Sequence, residues 1–166
     1  MTRIKVFSYG SNMLVNQITQ RAKSTIIECI GGIIGYKLMF HKISKDGSGK
    51  ASVYKTDDLN DTVWGIIISI NPNDKKKLDK FEGLGYGYKE ETIPVYTSLG
   101  KISTITYVAT NDRIDNNLKP YDWYYQYIIE GAKQNNLPSE YIKSLENVEY
   151  IIDSQTDRRN EKLSLL

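Results

Sequence analysis

The sequence predicts an α+β fold, in which a small mixed β-barrel or strongly curved sheet is flanked by helices. Strand patterns dominate the first two-thirds of the 166 residues and helical patterns close the chain, without the alternation of a βαβ arrangement. Hydrophobic residues make up 40% of the chain, which is enough for one core. We therefore expect a single domain over residues 1–153, followed by a polar, loosely held tail over residues 154–166.

The first part of the chain predicts several strands and one helix. Residues 4–9 alternate and are rich in β-formers, whereas residues 13–22 carry apolar side chains at helical spacing. Residues 25–39 are rich in isoleucine but interrupted by glycines, which predicts one or two strands with a bend or bulge. Residues 45–50 have the composition of a turn, and residues 51–54 follow as a short strand.

The middle of the chain carries the clearest strand signal, followed by a well-marked helix. Thr62–Ile70 is apolar enough to be buried on both faces of a sheet. In the next segment Asn71 can cap a helix, Pro72 suits its first position and Gly83 can end it. The remaining predicted elements are strands at residues 88–97 and 102–109 and helices at residues 121–132 and 139–148.

Composition argues against several classes of partner. A net charge of +2 is too small to indicate a nucleic acid as the main partner. No apolar run approaches the roughly 18 residues of a membrane span, and the first residues lack the apolar stretch of a signal peptide. Cys29 is the only cysteine, so it cannot form an intramolecular disulfide. We expect a cytoplasmic protein that binds neither nucleic acid nor membrane, and leave a homodimer open.

Several kinds of catalytic centre are also disfavoured. With one histidine, His41, and one cysteine, the chain lacks the ligands for a zinc site, and no G-x-S-x-G elbow accompanies the histidine. Neither a P-loop nor a G-x-G-x-x-G motif is present. We therefore expect no metal and no cofactor, and interpret His41 as a packed strand residue.

Tyr9, Gly10, Ser11 and Asn12 lie where a strand is predicted to turn into a helix. A helix N-terminus presents unpaired backbone N–H groups, and the helix dipole adds partial positive charge there. Gly10 would let an anion approach the backbone closely, and Ser11 or Asn12 could cap the helix or contact a ligand. This pattern is typical of a carboxylate or phosphate pocket, although an ordinary capped turn has the same signature.

Glu82 is predicted at the C-terminal end of a helix, which is an unfavourable place for a carboxylate. The negative end of the helix dipole destabilises it there by about 0.3–1 kcal/mol. In this field a carboxylate holds its proton more tightly and is a stronger base, and burial beside Phe81, Tyr86 and Tyr88 would add to the effect. The alternative is a solvent-exposed glutamate at a frayed helix end.

Five sequence motifs occur in an order that resembles one known superfamily. They are Y-G-S-N-M at residues 9–13, F-H-K with K-D-G-S-G-K-A within residues 40–51, V-W-G-I at residues 63–66, L-D-K-F-E-G at residues 78–83 followed by Tyr88, and the closing segments 124–133 and 137–141. The set resembles the γ-glutamylcyclotransferase-like superfamily, which includes the AIG2-like proteins of plants and the butirosin-pathway cyclotransferase. Y-G-S-N alone is modestly specific, whereas the ordered set is highly specific.

The resemblance implies a γ-glutamyl cyclotransferase on a small barrel with flanking helices. In that reaction the α-amine of a γ-glutamyl group attacks its own γ-carbonyl, and 5-oxoproline and an amine are released. The resemblance assigns the α-carboxylate to the amides of residues 9–12, the proton transfers to Glu82, and the pocket walls to Tyr88 and Tyr124. Because the attack is intramolecular, no protein nucleophile is needed.

Three questions stay open at the level of the sequence. The leaving group could be a free amino acid, or an amine or another γ-glutamylated metabolite, and a non-catalytic binding protein on the same fold is a further alternative. The stabiliser of the oxyanion could be Ser11 or a backbone N–H. The turn at residues 45–50 could form a wall on the leaving-group side or be a plain flexible turn.

Overall fold

The computed structural model describes residues 2–166 and contains a closed five-stranded barrel. In chain order the strands are β1 (Ile4–Ser8), β2 (Ile26–Ile34), β3 (Tyr36–Ile43), β4 (Gly49–Lys55), β5 (Thr62–Ile70), β6 (Tyr88–Thr97) and β7 (Gly100–Ala109). The order around the barrel is β1-β5-β2-β6-β7, closed by a parallel contact of Val6 with Ile105, and β3 pairs with β4 in a separate sheet. The α+β barrel expected from the sequence is confirmed.

Five helices flank the barrel. They are α1 (Val15–Arg21), α2 (Pro72–Glu82), α3 (Asp122–Gln134), α4 (Ser139–Leu145) and α5 (Thr156–Leu163), with 3-10 turns at Ser11–Met13 and Asn111–Arg113. Within residues 2–166, no helix combines the length and the apolar character needed to cross a membrane.

The strand β5 has the bounds predicted from the sequence and lies at the centre of the core. It pairs with β1 on one side and with β2 on the other. Its side chains from Ile66 to Ile70 are all buried, so both faces of this strand are covered. A Cβ at Gly65 would lie 2.3 Å from the carbonyl oxygen of Ser8, so glycine permits the close approach of β1.

The helix α2 begins and ends where its caps predict. The side chain of Asn71 accepts a hydrogen bond from the N–H of Asp74 at 2.7 Å, and Gly83 ends the helix with a positive φ of 69°. Ile70, at the end of β5, pairs with Ile4 at the start of β1. The helix therefore starts beside one end of the barrel and runs back, which brings Glu82 to the end where β1 leaves the sheet.

Residues 25–39 agree with the prediction of one or two strands with a bend or bulge, whereas the helix predicted over residues 13–22 differs from it in detail. Residues 25–39 form parts of two strands, with a register shift between Ile27 and Cys29 in β2 and a turn at Gly35, whose φ is 83°. The helix predicted over residues 13–22 is shorter, because the chain first makes the 3-10 turn and α1 begins only at Val15.

The polar tail predicted to be loosely held is instead folded onto the domain. It contains α5, whose Arg158 bonds to both oxygens of Asp153 and whose Arg159 donates to Asp122 at 2.6 Å. Tyr127 donates to the carbonyl of Lys162, also at 2.6 Å. Asp122 and Asp153 are buried, and buried carboxylates need cationic partners, so the two arginines of this segment point inward.

Candidate active site

One small cavity, about 40 Å³, lies where β1 leaves the barrel and α2 returns to it. The structure brings all seven predicted site residues into its lining: Tyr9, Gly10, Ser11, Asn12, Glu82, Tyr88 and Tyr124. The lining also contains four residues that the sequence did not single out: Phe7, Ser8, Ala51 and Tyr107. Glu82 carries the only carboxylate among these described lining residues, so any proton transfer by a carboxylate in this pocket falls to it.

The loop at residues 9–12 provides backbone donors, but not in the way predicted. The first N–H of α1, at Val15, donates to the side chain of Gln134, and no residue of α1 lines the pocket. The N–H groups of Gly10, Ser11 and Asn12 instead belong to the preceding 3-10 turn, and none finds an acceptor within residues 2–166. These amides can therefore donate to an anion.

The loop is held in place from behind by α3. A Cβ at Gly131 would lie 2.7 Å from the backbone nitrogen of Leu14 and 2.8 Å from the Cβ of Met13. The absence of a side chain at Gly131 thus lets the helix pack directly against the turn. Asn135 adds a hydrogen bond to the carbonyl of Met13 at 2.8 Å.

Glu82 is held by two donors on the same oxygen. Its Oε1 accepts from Nδ2 of Asn12 at 2.8 Å and from Nη1 of Arg21 at 3.2 Å. Arg21 also donates to Oδ1 of Asn12 at 2.8 Å, so the three side chains form a closed triangle. No group in the described part of the chain bonds to Oε2 of Glu82, and this oxygen is left for a ligand. Arg21 was not predicted from the sequence.

The prediction that three aromatic side chains bury Glu82 is partly wrong. Phe81 is 61% exposed and Tyr86 is 84% exposed, whereas Tyr88 is buried as predicted. Only Leu78 on α2 is fully buried, and Phe81 lies on the outside beneath the guanidinium of Arg21, 5.4 Å from its ring centroid. The Glu82 side chain is 15% exposed, so it is shielded by its polar partners and Tyr88 and not by an aromatic cluster.

The backbone of Ala51 fixes the two predicted pocket tyrosines. The Tyr88 hydroxyl donates to the Ala51 carbonyl at 2.7 Å, and the Ala51 N–H donates to the Tyr124 hydroxyl at 3.0 Å. Burial raises the pKa of Tyr88 well above its ordinary value and that of Tyr124 to about 12. Both phenols are therefore protonated at neutral pH, and they position groups without acting as bases.

Tyr9 forms a wall of the pocket, and its hydroxyl is already engaged. It donates to the carbonyl of Tyr107, and burial raises its pKa well above the ordinary value. The hydroxyl of Tyr107 donates outward to Asp79 at 2.6 Å. Neither hydroxyl is free to exchange protons with a ligand.

The turn at residues 45–50 is tied down and supports the pocket from outside. The ammonium of Lys50 donates to Asp46 and Ser48, both at 2.8 Å. It lies 4.5 Å from the ring of Trp123 and 4.6 Å from that of Tyr124, within cation–π range of both. The next residue is Ala51, so this turn positions the backbone that holds the tyrosines.

Comparison with known proteins shows the family to which the chain belongs. The sequence profile of the AIG2-like family matches residues 62–145. The gamma-glutamylcyclotransferase of Bos taurus is 33% identical over 150 residues, which cover 86% of this chain and 77% of that protein. The gamma-glutamylcyclotransferase of Homo sapiens is 32% identical over 150 residues, with the same coverage of both chains. A solved gamma-glutamyl cyclotransferase structure matches with a TM-score of 0.83 at 27% identity and covers 96% of this chain and 99% of the other. The chain therefore belongs to the AIG2-like family, within the γ-glutamylcyclotransferase-like superfamily.

Proposed function

We propose that the protein is a γ-glutamyl cyclotransferase, which converts a small γ-glutamyl compound into 5-oxoproline and a free amino acid or amine. The observation that carries this proposal is the meeting, in one pocket, of three unpaired backbone N–H groups and a single carboxylate with an open oxygen. The first can hold the α-carboxylate of a γ-glutamyl group, and the second can accept a proton from its α-ammonium.

Orientation supplies a large part of the rate enhancement in this mechanism. With its α-carboxylate on the N–H groups of Gly10, Ser11 and Asn12, the γ-glutamyl chain can fold back until its amine meets its own γ-carbonyl. Well-oriented intramolecular reactions gain about 7–11 kcal/mol over their bimolecular counterparts. The packing of Gly131 and Asn135 behind the loop keeps these donors fixed, so the gain is not lost in ordering the protein.

Glu82 carries the proton through the reaction. Its Oε2 takes a proton from the α-ammonium, the amine forms a C–N bond with the γ-carbon, and the carbonyl oxygen becomes an oxyanion. Collapse of this intermediate breaks the bond to the leaving nitrogen, which receives the proton from Glu82. The new ring nitrogen still carries one proton too many, and it returns this proton to Glu82, which passes it to the departing amine so that the amine leaves as an ammonium. Asn12 and Arg21 fix the carboxylate through Oε1 while it does so. The Ser11 hydroxyl or a loop N–H stabilises the oxyanion.

Substitution of Glu82 by Gln tests this role. The amide oxygen of Gln can still accept from Asn12 and Arg21, so the fold should be kept while the base is lost. We expect kcat/KM for 5-oxoproline release to fall by about 10²–10⁴-fold, the usual contribution of general acid–base catalysis. Glu140→Gln on α4, where the side chain is 82% exposed, is the matched control and should keep wild-type activity. A folded Glu82→Gln protein that turns over at the wild-type rate would refute the role.

The cytoplasmic location expected from the sequence stays a prediction, and the sequence leaves the oligomeric state open. Gel filtration coupled to light scattering measures the oligomeric state directly.

A further inference from the structure

A second and larger cavity, of about 660 Å³, adjoins the catalytic pocket and has no part in the steps above. It is bounded by the end of β3, by the turn that follows α2 and by the 3-10 turn at Asn111–Arg113. Gly83 and Gly87 in its lining are the direct neighbours of Glu82 and Tyr88 in the catalytic pocket. The two cavities therefore lie next to each other along residues 82–88, and the hydrogen bond from Tyr107 to Asp79 joins their linings.

The charges around this second cavity are unbalanced. Its lining contains four cations, namely Lys42, Lys45, Lys80 and Arg113, and one carboxylate, Asp79. Asp79 is already compensated from outside the cavity, by the ammonium of Lys75 and the hydroxyl of Tyr107. The cavity as a whole thus presents an excess of positive charge, which attracts anions and repels cations.

Of the four cations of this cavity, Lys42 is the one that contacts a residue lining the catalytic pocket. Its ammonium lies 4.9 Å from the ring centroid of Tyr88, and it has no hydrogen-bond or ion-pair partner within the described residues. Lys42 is half-buried, and desolvation lowers its pKa although the charge of Glu82 acts in the opposite direction, so a further anion beside it would be favourable. A Cβ at Gly87 would come within 2.7 Å of its Cε, so the missing side chain there makes room for this lysine.

On the basis of the proposed function, we infer that this cavity binds the leaving group and selects leaving groups that carry carboxylates. The catalytic pocket, at about 40 Å³, admits little beyond the γ-glutamyl end, so the remainder of a substrate must lie past Glu82 and Tyr88. The first carboxylate of a leaving amino acid would meet Lys42. The three more exposed cations at the rim would accommodate a second carboxylate, as in a γ-glutamyl derivative of an acidic amino acid or short acidic peptide. A cationic amine would be repelled.

Three substrates of nearly equal size test the inference: γ-glutamyl-glutamate, γ-glutamyl-glutamine and γ-glutamyl-glutaminamide. Their leaving groups carry two, one and no carboxylates, respectively. We expect kcat/KM for 5-oxoproline release to fall about tenfold with each carboxylate removed, the effect of losing one hydrogen bond to a charged group. Equal values for the three substrates would overturn the inference.

Lysine variants connect the preference to the cavity. We expect Lys42→Met to reduce the ratio of kcat/KM between the glutamate and glutaminamide substrates by about tenfold, and Lys42→Arg to retain it. Arg113→Met at the exposed rim should reduce the ratio of kcat/KM for γ-glutamyl-glutamate to kcat/KM for γ-glutamyl-glutamine. Lys143→Met on α4, 68% exposed and far along the chain from the cavity, is the control and should leave every ratio unchanged.

The possible failures can be told apart. If Lys42→Met and Arg113→Met both retain the wild-type ratios of kcat/KM, the cavity does not select substrates by the charge of the leaving group and the inference is wrong. If all three substrates release 5-oxoproline equally well, the inference fails while the cyclotransferase reaction stands. If none of them or any other γ-glutamyl compound releases 5-oxoproline, the proposed function itself is wrong.

Discussion

Asn12 has two hydrogen-bonding roles beside Glu82. Its Nδ2 donates to Oε1 of Glu82 and its Oδ1 accepts from Arg21, so the orientation of its amide is set by two partners of opposite charge. An amide meets both requirements, whereas a carboxylate of the same shape meets only one. The identity of this residue is therefore as constrained as that of the carboxylate it holds.

The isosteric substitution Asn12→Asp tests this constraint. It places an oxygen where a donor faces Glu82, so we expect a loss of about 1–3 kcal/mol in the free energy of unfolding and a fall in kcat/KM of tenfold or more. Urea unfolding and 5-oxoproline release measure the two effects. Asn73→Asp, at an exposed position in the first turn of α2, is the control and should leave both quantities close to wild type. An Asn12→Asp protein with wild-type stability would contradict the hydrogen-bond assignment.

The sequence predicts individual site residues where the signal is local. Gly10 and Asn12 stand in a short motif, and Glu82 is the last residue of a helix defined by its caps, so each could be identified before the fold was known. Arg21 could not, because it meets Glu82 across 61 residues of chain and looks like an ordinary cation in the last turn of α1. Phe81 was misplaced for a related reason: its position on α2 does not say which side of the helix faces the barrel.

Among the elements, the β3–β4 hairpin links an ion pair to the tyrosines that line the pocket. Its tip carries Asp46, which accepts from the N–H and hydroxyl of Ser48 and from Lys50. Burial alone would raise the pKa of Asp46, but the bonds from Lys50 and Ser48 outweigh it and lower the pKa to about 2. Lys50 in turn lies against the ring of Tyr124.

The stability that Asp46 contributes should depend on pH. Because its pKa is lower in the folded state than its ordinary value of 3.8, the contribution is present above about pH 4 and is lost as the pH falls toward about 2. We expect Asp46→Asn to lower the free energy of unfolding by about 1 kcal/mol at neutral pH, a modest loss because solvent screens this partly exposed group. The difference from wild type should shrink as the pH is lowered. Urea unfolding across this range measures it. Asp112→Asn, 77% exposed, should show no such trend, and a constant Asp46→Asn deficit would contradict the assignment.

At the scale of the whole molecule, closure of the barrel and docking of the tail both depend on contacts between distant parts of the chain. Periodicity predicted the strands, but the parallel contact of β1 with β7 that closes the ring has no local signal. The polarity of residues 154–166 predicts a solvated tail. Composition does not show that Asp122 and Asp153 are buried and pair with the arginines of this segment, so the docking of the tail has no signal in the sequence. These two features are what the sequence left undetermined.

Removal of residues 156–166 tests the contribution of α5. The Asp153 side chain has no exposed surface, and without Arg158 it keeps only donors from Trp123 and the Gln155 N–H. We expect the midpoint of thermal unfolding to fall by roughly 5 °C or more, because an uncompensated buried carboxylate is left behind. Removal of residues 164–166 alone keeps both arginine pairs and serves as the control. An unchanged midpoint in the longer deletion would show that α5 does not stabilise the domain.

The length of α2 determines where Glu82 lies in the candidate active site. It leaves β5 beside Ile4 and must travel the length of β1 before Glu82 can face Asn12, and its 11 residues span about 16 Å, close to the length of a five-residue strand. Loss or gain of one residue within it would swing the carboxylate about 100° around the helix axis. The number of residues in α2 must therefore match the length of β1. A protein of this fold with a longer β1 would need a correspondingly longer α2.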